Sequence, residues 1–157
     1  MATEPLFEFS HIDLSAVHFD WDAVGRINPQ AGDMRQINHV IWMNDECTEC
    51  LGVKHVKDDE FWVDGHIPGR PLFPGVMMIE AAAQLTSVLY HQKIDQPRFV
   101  GFTRCDDTVF RGQVVPGDDL LLLAKEVNFA RRRVIGLGQG YVGEKLIFET
   151  KITGMVL

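Results

Sequence analysis

The stretch that most constrains the fold runs from residue 61 to residue 92, where a loop rich in proline and glycine leads into an apolar segment. Prolines fix φ and remove backbone donors, and glycines allow tight turns, so the loop can be neither a helix nor a central strand. These residues are Pro68, Pro71, Pro74, Gly65, Gly69 and Gly75. Strong helix formers follow from about Gly75 without an internal Gly or Pro, which predicts a helix about 27 Å long.

The predicted helix is apolar almost all round, which indicates that it is buried. Glu80 and Gln84 interrupt its middle and, four residues apart, share one face. A carboxyl group in a buried helix is costly unless it is paired or functional. His66, in the preceding loop, is a partner of the right chemistry, because an imidazole and a carboxyl in one apolar site form an acid–base pair. Either residue alone is more often structural, so the hypothesis depends on the pair.

The loop and helix together carry a long, gapped motif. It reads H-I-P-G-R-P from His66, F-P-G-V from Phe73 and E-A-A-A-Q from Glu80. This string resembles the 3-hydroxyacyl-acyl-carrier-protein dehydratases of fatty acid synthesis, the FabZ/FabA-like branch of the thioesterase/dehydratase superfamily. A second block, from Phe110 to Leu120, is similar to the R-x-P-V-x-P-G-D-x-L string of the same enzymes.

The resemblance implies an α+β hot-dog fold, in which a long central helix is wrapped by a curved antiparallel β-sheet. We expect one domain over residues 1–157, with residues 1–35 forming an N-terminal arm and a short helix that ends before Pro29. In the resembling enzymes a Pro-His-Arg string precedes the first strand. This chain departs from that string and reads Asn28-Pro29-Gln30-Ala31-Gly32 instead.

Alternating and turn-bounded segments predict the strands. They cover residues 37–43, 50–56, 98–110, 120–129, 134–142 and 146–157. The G-x-G-x-x-G string at residues 138–143 precedes a strand and no helix, so it indicates a twisted strand and a hairpin turn rather than a dinucleotide site. Cys47 and Cys50 form a C-x-x-C at the first predicted hairpin without a second cysteine pair, so neither a metal nor a redox site is predicted.

The family resemblance implies the reversible dehydration of a (3R)-3-hydroxyacyl thioester to the trans-2-enoyl thioester. By resemblance to the family, His66 removes the C2 proton and Glu80 protonates the departing hydroxyl group, and no cofactor is required. The residues alone leave the exchange of these two roles open. Gly75 and Val76 lie at the predicted helix N-terminus, where free N–H groups favour the negative charge on a thioester oxygen. We expect Gln84 to orient Glu80 and count it, with Gly75 and Val76, among the substrate-binding residues.

The net charge and the cysteine content limit the binding partners and the location to be expected. The net charge of −7 gives no basic footprint for nucleic acid or an anionic membrane. Three cysteines do not make a disulfide framework, and the N-terminus lacks the pattern of a secretory signal, so a cytoplasmic protein is expected. The resemblance implies a thioester of acyl carrier protein or CoA as substrate, and a homodimer or trimer of dimers. Candidate basic residues for carrier docking are Arg70, Arg104, Arg111 and residues 131–133.

Two other functions stay open on the sequence alone. A hot-dog acyl thioesterase would use a carboxylate to direct water at the thioester carbonyl and would not require the histidine loop. A non-catalytic acyl-binding module would retain the fold, and the altered segment around Pro29 and Gln30 leaves room for it. The intact His66 and Glu80 favour the dehydratase. Acyl chain length and the choice between carrier protein and CoA are not determined by the sequence.

Overall fold

The structure, a computed structural model, describes residues 4–157, so the first three residues of the predicted arm lie outside it. Its elements are α1 (Trp21–Ile27), a short 3-10 turn (Gly32–Met34), β1 (His39–Met43), β2 (Glu49–His55), α2 (Gly75–His91), β3 (Val100–Phe110), β4 (Asp119–Ala130), β5 (Arg133–Val142) and β6 (Lys145–Val156). Each predicted strand is present within about two residues of its expected bounds. No helix among these residues has the length and apolar character needed to cross a membrane.

The six strands form one antiparallel sheet in the order β1-β2-β4-β5-β6-β3. Helix α2 lies against its middle strands and contacts β2, β4, β5 and β6. The main hydrophobic core fills the space between the helix and the sheet, with Leu85, Leu122 and Phe148 completely buried. This arrangement confirms the predicted α+β hot-dog fold.

Helix α2 begins at Gly75, directly after Pro74, as the sequence predicted. Its buried residues lie mainly on the side that faces the sheet, among them Met78, Ala81 and Leu89, and Gln84 is buried beside the segment that precedes β1. The prediction of a helix buried all round is therefore wrong for its other side, since Val76 is 71% exposed. A single sheet can cover only one side of a helix, and among the described residues Val76 lies on a side that the sheet leaves open.

The glycines of β5 let the helix and a core ring approach the strand closely. A Cβ atom on Gly138 would lie 2.9 Å from the Cβ of Ala82 in α2, and one on Gly140 would lie 2.2 Å from the Phe148 ring. Gly143 follows at φ 58° in the turn to β6. The G-x-G-x-x-G string is therefore a strand and a hairpin turn, as predicted.

The N-terminal arm lies on the opposite face of the sheet from α2. Its aromatic side chains pair with side chains of that face: the ring centroids of Phe7 and Trp42 are 5.6 Å apart, and those of Phe9 and Tyr141 are 5.4 Å apart. Ile12 is buried in the same second hydrophobic cluster. The arm, whose role the sequence did not reveal, thus covers an apolar sheet face that would otherwise meet water.

Polar contacts fix the start of the arm to the strands. The Gln139 side chain accepts a hydrogen bond from the Leu6 N–H at 2.9 Å and donates one to the Glu4 carbonyl at 3.1 Å. The Lys125 ammonium donates to the Leu6 carbonyl at 3.2 Å. The arm is therefore held by residues more than 100 positions later in the chain.

Candidate active site

His66 lies in the loop between β2 and α2 with its ring exposed to solvent. Its Nδ1 atom is 2.8 Å from the carbonyl oxygen of Leu72. Because a carbonyl oxygen can only accept, Nδ1 must carry the hydrogen and donate it. In the neutral ring this leaves the Nε2 lone pair free, which is the form a general base requires. The loop thus holds the imidazole in one tautomer and one orientation.

Glu80 lies in the second turn of α2 and is half-buried. Its Oε1 atom accepts a hydrogen bond from the Gln84 side-chain amide at 2.7 Å, and the Gln30 amide lies 3.5 Å from the same oxygen. None of the ion pairs between residues 4 and 157 includes Glu80. Both amides act on Oε1, so Oε2 is the carboxyl atom left available for proton transfer.

Gln84 is only 2% exposed, and its amide is fully used inside the protein. Its Oε1 accepts from the backbone N–H of Gln36 at 2.9 Å, while its Nε2 donates to the Met34 carbonyl and to Glu80, both at 2.7 Å. The predicted orienting contact with Glu80 is therefore present. A substrate-binding role for Gln84 stays a prediction, and the contacts described here use its amide inside the protein.

The described chain does not bring His66 and Glu80 into one site. No hydrogen bond or ion pair between residues 4 and 157 joins them. Glu80 lines a cavity of about 180 Å³ whose walls include Gln30, Ala83, Phe102 and Ile152, and His66 is not among its lining residues. Within the described residues, therefore, His66 and Glu80 neither touch nor line one cavity.

The N-terminus of α2 is open, as the sequence predicted. The amides of Gly75 and Val76 have no hydrogen-bond partner within residues 4–157, whereas the next two amides donate to the carbonyl of Pro74. Gly75 is in close contact with the ring of Phe110, because an added Cβ would lie 2.9 Å from that ring. Unpaired N–H groups at a helix N-terminus favour a negatively charged oxygen.

The C-x-x-C lies at the first hairpin, as predicted. Cys47 has a φ of 53° in the turn, and Cys50 is buried at the start of β2, where burial raises the pKa of its thiol well above its usual value. Residues 4–157 contain no group of three or more His, Cys, Asp or Glu side chains suited to a metal ion.

Comparison with known proteins identifies the family. Residues 28–151 match the FabA-like domain family. The chain belongs to the FabA-like family. It is 34% identical to the 3-hydroxyacyl-(acyl-carrier-protein) dehydratase FabZ of Moorella thermoacetica, over 85% of this chain and 93% of that protein. It is 42% identical to the FabZ of Alkaliphilus metalliredigens, over 66% of this chain and 71% of that protein.

Solved structures share the fold of this FabA-like chain at low sequence identity. The dehydratase heterocomplex ApeI:P of Xenorhabdus doucetiae superposes with a TM-score of 0.74 at 14% identity, covering 85% of this chain and 90% of that one. A putative thioesterase of Ralstonia eutropha superposes with a TM-score of 0.61 at 14% identity, covering 74% of this chain and 83% of that one. These similarities show the fold alone, and both a dehydratase and a putative thioesterase have it.

Sequence reasoning missed one side chain at this site. Gln30, which lies in the segment that departs from the family string, reaches the Glu80 carboxyl group from 50 residues away. Nothing in its spacing from Glu80 predicts the contact. The one signal available was its position, since it occupies the middle place of the Pro-His-Arg string.

Proposed function

We propose that this chain is a 3-hydroxyacyl-(acyl-carrier-protein) dehydratase that converts a (3R)-3-hydroxyacyl thioester reversibly into the trans-2-enoyl thioester and water. The observation that carries the proposal is the similarity to FabZ over 93% of the Moorella protein. The His66 loop and the Glu80 helix supply the acid and base that such a reaction needs. The similarity to FabZ also favours a dehydratase over a thioesterase with the same fold.

In the proposed reaction, His66 Nε2 is the base and Glu80 Oε2 carries the acidic proton. His66 Nε2 removes the C2 proton, and the electron pair of that C–H bond forms the C2=C3 double bond. The C3–O bond breaks as Glu80, through Oε2, gives its proton to the hydroxyl group, which leaves as water. The imidazolium of His66 and the carboxylate of Glu80 then regain their starting states by proton exchange with solvent. Atoms and charges balance without a redox partner.

The helix N-terminus supplies the third function. As the C2 proton leaves, negative charge develops on the thioester oxygen. The unpaired amides of Gly75 and Val76 are suited to donate hydrogen bonds to that oxygen. Preorganised donors of this kind typically lower a barrier by roughly 3–4 kcal/mol each.

A second copy of the chain completes the site in this proposal, so that His66 of one subunit and Glu80 of the other act on one substrate. Two features support it. Strand β3 lies at the edge of the sheet with Phe102 and Phe110 about half exposed, and α2 leaves Val76 uncovered. Exposed sheet edges and clustered exposed apolar side chains favour pairing with another chain. A homodimer or trimer of dimers covers them.

The substrate carrier and the cellular location also stay proposals. We favour acyl carrier protein over CoA because the names of the FabZ relatives specify acyl carrier protein. An acidic carrier needs a local basic patch on a chain whose net charge is −7. Arg70, which donates to Gln113 at 3.1 Å, is an exposed cation of the His66 loop. A cytoplasmic location, predicted from the sequence, remains a prediction.

The test follows enoyl absorbance with 3-hydroxybutyryl and longer hydroxyacyl thioesters, on carrier protein and on CoA. His66→Ala and Glu80→Gln should each lower kcat by a factor of roughly 100–10,000, as expected for loss of a general acid or base. His11→Ala and Glu46→Gln, at exposed positions elsewhere, are the matched controls and should retain activity.

Each alternative has its own readout. Release of free thiol without an enoyl product would show a thioesterase. A folded protein that retains acyl chains without turning them over would show the non-catalytic module. Mixing inactive His66→Ala with inactive Glu80→Gln protein should restore part of the activity if each site draws on two chains.

A further inference from the structure

We propose that Gln30 is a positioning residue that holds the Glu80 carboxyl group in its proton-donating orientation. This inference rests on the proposed dehydratase function and adds a residue to it. Gln30 follows Pro29 in the segment between α1 and β1, and it lines the same cavity as Glu80. Its Nε2 atom lies 3.5 Å from Glu80 Oε1.

The segment that carries Gln30 is fixed to α2 on either side. The Asn28 side chain donates a hydrogen bond at 2.9 Å to the backbone carbonyl of Gln84, and the backbone N–H of Gln36 donates to the Gln84 side chain. Pro29 restricts φ directly before Gln30. The Gln30 amide is thus presented to Glu80 by a rigid segment.

The orientation of the Gln30 amide is determined by its neighbour. The reverse orientation would place its carbonyl oxygen against a carboxyl oxygen of Glu80, where both atoms can only accept when Glu80 is ionised. In the observed orientation the Gln30 Oε1 atom is buried and has no hydrogen-bond partner within residues 4–157. An unpaired buried carbonyl disfavours the folded state. A contact retained at such a cost points to function more than to stability.

The two amides act together on Glu80. Gln84 reaches Oε1 from one turn further along α2, and Gln30 reaches the same oxygen from a different element. When the Glu80 carboxyl group carries a proton, the oxygen that accepts the N–H donors is its carbonyl oxygen. The acidic hydrogen therefore belongs on Oε2, which is the atom that must give a proton to the substrate hydroxyl. Gln84 alone restrains the carboxyl group through one hydrogen bond, and Gln30 adds a second contact to the same oxygen from a different element.

Gln30→Met tests the role because it keeps the length of the side chain and removes both polar atoms. We expect kcat to fall about tenfold, the size expected for a hydrogen bond to a charged or reacting group, with KM changed less than about twofold. The thermal midpoint should stay level or rise, because the unpaired buried oxygen disappears. A purely structural role predicts the opposite pattern, a lower midpoint with unchanged kcat, and that result would overturn the proposal.

Two further variants separate the effect of the hydrogen-bond donor at position 30 from the effect of the side chain's shape. Gln30→His retains an N–H donor and should recover part of the lost kcat. Gln30→Glu has the shape of the original side chain but, when ionised, only acceptor atoms, so its kcat should be at or below that of Gln30→Met. Equal activity of the His and Met variants would contradict a role for the donor.

The last experiment tests whether Gln30 acts through Glu80. In a Glu80→Gln background, Gln30→Met should cause no further loss of residual activity, and a full tenfold loss there would overturn the proposal. A measurement without turnover keeps the inference distinct from the proposed function. The side-chain ¹⁵N–¹H resonances of Gln30 should move in Glu80→Ala protein even if the wild type forms no enoyl product. Resonances that do not move would overturn the contact itself.

Discussion

Replacing Gln84 with leucine tests whether the amide network around Glu80 is a structural requirement as well as a catalytic one. The substitution removes three hydrogen bonds of a side chain that is 2% exposed. The buried N–H of Gln36 would lose its acceptor, at a cost of about 1–3 kcal/mol. The Met34 carbonyl can recover a bond to water, because Met34 is 46% exposed, so its loss is about 0.5–1 kcal/mol.

Leucine returns part of this cost by burying an apolar side chain of similar size, about 1 kcal/mol. The net destabilisation is therefore about 2 kcal/mol, which corresponds to a fall of about 4–8 °C in the midpoint for a chain of this length. Urea titration at pH 7 and one fixed protein concentration measures the change in the free energy of unfolding. The dehydratase kcat should fall at least as much as in Gln30→Met, because the shorter of the two contacts with Glu80 is lost.

The matched control is Gln92→Leu, the same substitution at the C-terminal end of the same helix. Its amide is half-buried and its 3.5 Å contact is with an uncharged group, the Val88 backbone carbonyl. We expect its effect on the free energy of unfolding to stay within about 0.5 kcal/mol. Equal losses in the two variants, or a Gln84→Leu protein as stable as the wild type, would refute the reasoning about the orphaned Gln36 amide.

Two more predictions concern stability. Burial, and then the nearby His55, lower the pKa of His39, so between that lowered value and about 6.5 the unfolded chain binds a proton that the folded chain does not. The free energy of unfolding should therefore decrease as pH falls from 7 to 5, and urea titrations of His39→Gln protein should show a smaller decrease. Gly140→Ala should destabilise by about 1–3 kcal/mol, because the new methyl group would lie 2.2 Å from the Phe148 ring. Gly143→Asn, in an open turn at φ 58°, is its control and should change urea stability by less than about 0.5 kcal/mol.

The sequence predicted those parts of the fold that local patterns determine. Pro74 and Gly75 mark the start of α2. Proline has a fixed φ and no backbone N–H group, so it is suited to the position directly before a helix and not to its interior. The strands follow from alternation and from turn residues such as Gly143. Glu80 and Gln84 were predicted to touch because helical geometry alone places residues four apart on one face.

Other features depend on long-range packing, which no local pattern records. The apolar residues of the arm, such as Phe9 and Ile12, follow no helical or strand period, so their place on the sheet could not be predicted. The contact between Gln30 and Glu80 spans 50 residues. The exposure of Val76 on α2 could not be predicted from the sequence either, because an apolar residue can be covered by its own chain or by another.

The attachment of the arm also affects how the protein is made. Gln139, the hydrogen-bond partner of Leu6, lies 133 residues later in the chain. At a synthesis rate of about 5–20 residues per second, roughly 7–27 seconds pass before that partner has been added. Throughout that interval Phe7, Phe9 and Ile12 have no completed sheet to cover. The arm therefore cannot dock on the sheet until β5 has been synthesised.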